Sequence, residues 1–160
     1  MDGLEFQILR SAPVRFLPMF LSCCVALTAC GGRVSSRVHK GAVDTVLDQK
    51  PDQRGYFETI GIGASDPSMA TDTQRKALAR DAAIVKAQYE MLSMIKGVIL
   101  EGGVTVQRAI ETDSNLVTRI NDAIKGAEVL KSEFTSDNGC VVTLRLPKAR
   151  LEQMAGVKFK

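Results

Sequence analysis

Histidine is almost missing from this chain: among 160 residues there is one, His39. It stands in a polar stretch with no second candidate ligand near it. A histidine-dependent triad or dyad, or a histidine-containing metal site, inside a folded domain is thereby excluded. Cysteine is nearly as scarce where it would matter. Cys23, Cys24 and Cys30 all lie within the first 30 residues, which leaves Cys140 alone and excludes a disulfide framework in the remainder. A membrane-spanning helix needs about 20 apolar residues. The apolar segment at residues 16–29 falls short of that and carries Pro18. Charge of one sign is also in short supply. A net +3, with basic residues scattered and no aromatic interleaving, gives no reason to expect nucleic acid as a partner. No internal repeat or low-complexity run is visible.

The N-terminal apolar segment has instead the layout of an export signal. Arg10 and Arg15 precede it, offset by Asp2 and Glu5, and small residues close it at Leu27-Thr28-Ala29-Cys30. A cysteine after Leu-x-Ala resembles the lipobox of bacterial lipoproteins. That resemblance implies a signal peptide at 1–29, palmitate and diacylglycerol on Cys30, and a membrane anchor through the N-terminal lipid. Gly31 in place of Asp implies the outer membrane. Residues 30–160 keep the net charge of +3 and suffice for one domain with its own core.

Residues 30–55, rich in Gly, Ser, Lys, Gln and Asp and holding Pro51, read as a lipidated N-terminus and flexible tether. Their brief apolar cluster, Val43, Val46 and Leu47, is enough for a turn or two of helix. The domain is expected at 56–160. Residues 56–63, β-branched and aromatic and closed by Gly63, read as a strand. A long helix follows, capped by Ser68 or Thr71 and ending at Lys96 before Gly97. Leu78, Ala82, Val85, Tyr89, Leu92 and Ile95 or Lys96 recur every three to four residues and are the expected core stripe. The alanines at 77, 79, 82, 83 and 87 would let the helix lie close to a sheet.

Residues 98–100 and 104–107 read as one bent strand or a tight pair around Gly102-Gly103. A second helix spans about 114–125, capped by Asp113 or Ser114, with Leu116, Val117, Ile120, Ala123 and Ile124 inward. Residues 129–135 and 140–146 flank Asp137-Asn138-Gly139 and form a hairpin. In its second arm Cys140, Val142, Leu144 and Leu146 face the core, and Val141, Thr143 and Arg145 face out, Thr143 on an open edge. A short helix at 148–154 and a basic tail end the chain. The fold class is α+β: about four mixed or antiparallel strands against one long and one shorter helix, in the order β-α-β-α-β-β(-α).

Groups that carry chemistry elsewhere are poor matches here. Gly61-Ile62-Gly63 lacks the third glycine of a dinucleotide fingerprint, because Asp66-Pro67 follows and the helix opens later. Ser93-Met94-Ile95-Lys96 with Ser136-Asp137-Asn138 matches two motifs of penicillin-interacting enzymes. Ser93, however, sits at the end of a helix, and the Lys-Thr-Gly element is missing. Cys140 on an apolar strand face reads as a small core hydrophobe, with pairing between subunits as the alternative. Asp81, Glu90, Glu101 and Glu111 form no visible pair and read as solvated.

The order of these elements resembles a small outer-membrane lipoprotein family that includes the twenty-kilodalton membrane-associated lipoprotein and the flagellar lipoprotein FlgP. The residues that carry the resemblance are Gly61-Ile62-Gly63-Ala64, the alanine-rich Lys76-Ala77-Leu78-Ala79-Arg80-Asp81-Ala82-Ala83, the exit from Leu92 through Gly97 into Val98, and Gly139-Cys140-Val141-Val142. It covers about residues 55–150. The resemblance implies an α+β domain, no catalytic residue, no cofactor or metal, and for some members a ring or disk at the flagellar base. The expectation is a non-enzymatic, lipid-anchored envelope protein that self-associates and meets flagellar or other envelope proteins. The alternative is a periplasm-facing binding module for peptidoglycan or another envelope component.

Overall fold

A computed structural model describes residues 34–45, 47, 52, 53 and 55–160. The expected signal segment and Cys30 lie outside the described residues. The fold is α+β. Among the described residues the first elements are short strands, β1 (Val38–His39), β2 (Ala42–Val43) and β3 (Asp52–Gln53), followed by β4 (Tyr56–Gly63). The helices α1 (Asp72–Lys96), α2 (Val106–Thr112) and α3 (Ser114–Lys125) come next, then β5 (Glu128–Phe134), β6 (Cys140–Pro147) and α4 (Lys148–Ala155). β1 and β2 make a two-stranded hairpin, and an antiparallel four-stranded sheet runs in the order β3-β4-β6-β5.

The register of β4 on β6 pairs Phe57 with Leu146, Thr59 with Leu144, Gly61 with Val142 and Gly63 with Cys140. Those residues share one face, and α1 covers it. Below α1 the core closes with α3, α4 and the C-terminus: Met91, Ile95, Ile120, Leu144, Leu146 and Leu151 are buried. The Phe57 and Phe159 rings meet edge to face at 5.6 Å between centroids. The expected basic tail is therefore a structural piece. Phe159 bridges to Leu100, and the Lys160 amide donates to the Ile99 carbonyl at 3.2 Å.

Four expectations are corrected. Residues 98–107 are not a strand of the sheet: of the two expectations, the tight pair around Gly102-Gly103 holds and the single bent strand does not. Ile99 and Thr105 form an isolated bridge, and Val106 opens α2, because the Thr105 hydroxyl accepts from the Arg108 amide and caps a helix there. The fourth strand is β3 instead, so the element order departs from β-α-β-α-β-β. Residues 36–43, expected in the tether, form the β1–β2 hairpin, held by the Ser136 amide donating to the Gly41 carbonyl at 2.9 Å. The Arg37 amide donates to Glu133 at 2.8 Å, and the Ser36 hydroxyl also donates to that carboxylate. Thr143 is not on an edge: β6 is central, and Val141 and Thr143 are each 1% exposed, so both faces of this strand are buried.

The fourth correction concerns α1. Its buried residues are Ala79, Ala83, Ala87, Met91 and Ile95, whereas Leu78, Val85 and Tyr89 are 45%, 65% and 63% exposed. Leu78, Ala82, Val85 and Tyr89 of the expected stripe lie on the far side of the helix, while its C-terminal members Leu92 and Ile95 do meet the core. Glycine explains the rotation. A Cβ built on Gly61 would lie 2.0 Å from the Ala83 carbonyl oxygen, and one on Gly63 2.0 Å from that of Ala79. The helix backbone thus rests directly on bare strand, which only small residues on its inner face permit. Thr59 fixes the contact by donating its hydroxyl to the Ala87 carbonyl at 3.0 Å.

Candidate functional site

Among the described residues, the outward face of α1 carries three of the exposed large apolar side chains, Leu78, Val85 and Tyr89. Thr71 starts the helix with a full capping box: its hydroxyl accepts from the Gln74 amide at 3.2 Å, and the Gln74 side chain accepts from the Thr71 amide at 3.3 Å. From there Leu78, Ala82, Val85 and Tyr89 line up at alternating intervals of four and three, all exposed. Singly exposed apolar residues are ordinary, but a contiguous row of them marks a surface that meets another apolar surface. The row is bordered by Asp81 on one side and Lys86 on the other. Lys86 bonds Glu90 at 2.7 Å and lies 5.4 Å over the Tyr89 ring; its Glu90 partner raises the ammonium's pKa.

The remaining sequence candidates do not converge on a site. Asn138 donates to Asp72 at 3.2 Å, which places the Ser136-Asp137-Asn138 turn at the N-terminal end of α1. Ser93 and Lys96 lie at the opposite end, about 30 Å away at 1.5 Å per residue. The two motifs therefore never meet. His39 stands on β1, its side chain 66% exposed, 3.6 Å from Asp44. Gly61-Ile62-Gly63 receives the helix and holds no phosphate cradle. Asp66 spends its carboxylate on its own turn, accepting from the Ser68 hydroxyl at 2.7 Å and the Ser68 amide at 2.9 Å, and these bonds lower its pKa. Cys140 is fully buried, and burial pushes its thiol up, away from the reactive thiolate.

Glu90 is paired with Lys86, and Asp81, Glu101 and Glu111 are dispersed over α1, the 101–103 turn and α2. Among the described residues no group of three or more His, Cys, Asp or Glu side chains is placed to hold a metal ion. A shallow depression of about 400 Å³ lies between the β1–β2 hairpin and the end of β4, beside Val43, Ile62 and Ser136. Its polar members are occupied in turn bonds: Ser136 donates to Gly41, and Asp137 accepts from the Thr135 hydroxyl.

Sequence periodicity located the row on α1 but assigned it to the core. The signal that separates the two faces is the match between Gly61-x-Gly63 on the strand and Ala79, Ala83 and Ala87 at four-residue spacing on the helix. No protein-family model, curated protein or solved structure matches the chain.

Proposed function

We propose that this protein is a lipid-anchored, non-enzymatic envelope lipoprotein that works by protein–protein contact and self-assembly, as a ring or disk component at the flagellar base. The observation that carries the reading is the row of exposed apolar side chains on α1, which faces away from the protein's own core. The Leu27-Thr28-Ala29-Cys30 sequence supports the anchor, at the outer membrane. Two acyl signals give stable anchoring where one chain is marginal, at about 0.8 kcal/mol per buried CH₂.

The test has two arms. Cys30→Ala should abolish palmitate labelling and leave an unprocessed precursor, and normal processing with membrane retention would overturn the anchor. The acylated protein extracted in mild detergent should run as large symmetric oligomers by native mass measurement and negative-stain imaging. A strictly monomeric acylated protein, in detergent and in native membranes alike, would overturn self-assembly.

A further inference from the structure

We infer that the outward face of α1 is one self-association surface, and that its occupant is the α1 helix of a second copy packed parallel to it about a two-fold axis. The inference rests on the self-assembly reading and specifies one of its interfaces, since a two-fold contact closes at a dimer and a ring needs a second surface. Leu78 and Val85 are seven residues apart, as are Ala82 and Tyr89, and all four are exposed, whereas Leu92, the next position of the series, packs against the protein's own core and ends the seam. This is the a/d spacing of a two-stranded coiled coil, with leucine and valine at d and the smaller alanine and flat tyrosine at a. The row lies opposite the buried stripe of Ala79, Ala83 and Ala87, so a second helix reaches it without disturbing the sheet contact.

Charge sets the direction. Asp81 precedes Ala82 on one flank of the row, and Lys86 follows Val85 on the other. In a parallel pair these flanks face each other with a five-residue offset, so Asp81 of each copy meets Lys86 of the other, twice by symmetry. An antiparallel pair sets each flank against itself and brings Lys86 towards Lys86. Lys86 has three donor hydrogens, so it keeps its 2.7 Å bond to Glu90 while adding a second carboxylate. From Leu78 to Tyr89 the seam runs about 16 Å at 1.5 Å per residue. A seam that short buries less than the roughly 1,200 Å² of a stable standard interface. The pair is therefore weak in free solution and fills on a shared lipid surface, where tethering raises the effective concentration.

The full chain in mild detergent, followed by sedimentation velocity and lysine–carboxylate crosslinking, tests this. Val85→Asp should lose the pairwise contact while keeping its circular dichroism spectrum, since Val85 is 65% exposed in the monomer. Lys86→Gln should raise the dissociation constant by about three- to tenfold, the loss of two exposed charge pairs. Asp81→Lys should weaken pairing further, and Asp81→Lys with Lys86→Asp together should restore it. Wild-type oligomers that survive Val85→Asp unchanged would overturn this interface and leave self-assembly standing. Tighter association of Lys86→Gln would overturn the parallel arrangement. A wild-type protein that is monomeric throughout would overturn the self-assembly reading itself.

Discussion

Replacing Gly61 by alanine tests the packing that orients the whole molecule. The added Cβ would sit 2.0 Å from the Ala83 carbonyl oxygen, 2.5 Å from the Ala87 amide nitrogen and 2.9 Å from the Ala87 Cβ. Two of these three neighbours are helix backbone, which cannot swing aside as a long side chain would. The helix must retreat by about an ångström, and a radial gap of 0.5–1 Å already forfeits roughly a quarter to a half of each dispersion contact. Overpacking of this kind costs about 1–3 kcal/mol, at the upper end where backbone is hit. The retreat also stretches the Thr59–Ala87 hydrogen bond, worth about 1 kcal/mol. A loss of about 3–4 kcal/mol is expected in urea unfolding followed by circular dichroism at 222 nm, with the slope unchanged. Gly102→Ala is the control, because nothing lies within 4 Å of its Cβ position. A Gly61→Ala variant as stable as Gly102→Ala would refute the close helix–strand contact, and with it the explanation of the helix's rotation.

Leu144→Ala, at a site 1% exposed, should cost about 2–5 kcal/mol, whereas Val85→Ala should change monomer stability by less than about 0.5 kcal/mol; denaturant midpoints of the two read the helix rotation directly. Thr71→Ala removes the capping box and should cost about 1 kcal/mol, with loss of amide protection confined to the first turn of α1. Burial alone would raise the Glu133 pKa, but the Ser36 hydroxyl, the Arg37 amide and Lys131 outweigh it and hold the carboxylate below its ordinary 4.5. A depressed carboxylate contributes stability above its unfolded pKa and loses it as pH falls through the folded value. Amide protection factors at Arg37 should therefore fall below about pH 4.5, and Glu133→Gln should remove that pH dependence.

Much of the scaffold follows from local chemistry, which is why it was legible. The strand at 56–63, the cap at Thr71, the helix at 114–125 and the turn at Asp137-Asn138-Gly139 each rest on signals that act within a few residues. Asn138 takes the positive φ of that turn, at 63°. What was not legible depends on partners distant in sequence. The β1–β2 hairpin docks through Ser136 and Glu133, almost a hundred residues downstream, and nothing in residues 36–43 announces it. Val106 reads as strand-forming by side chain, yet the Thr105 cap turns it into the start of α2. Cys30 is legible as a motif alone, outside the described residues.

The face that α1 buries is set by the strand beneath it and not by the size of its apolar side chains. Fully burying Leu78, Val85 or Tyr89 would contribute about 1.5–3 kcal/mol each, so hydrophobicity alone favours turning them inward. Turning them inward, however, requires a gap between helix and sheet wide enough for large side chains. Gly61 and Gly63 project nothing into such a gap, and the strand would be left facing a void. With the helix seated on the glycines, Ala79, Ala83 and Ala87 fill the contact completely, each 0% exposed. The glycines on the strand and the alanines on the helix are thus one choice made twice. Its by-product is that three large apolar side chains lie outside on a rigid, well-capped helix. A monomer gains nothing from them there, since their burial energy is realised only when a second apolar surface arrives. The same sequence feature that closes the core therefore leaves an unspent driving force on the surface. In the parallel pair that force is spent between copies, and Asp81 and Lys86 choose the register in which it happens.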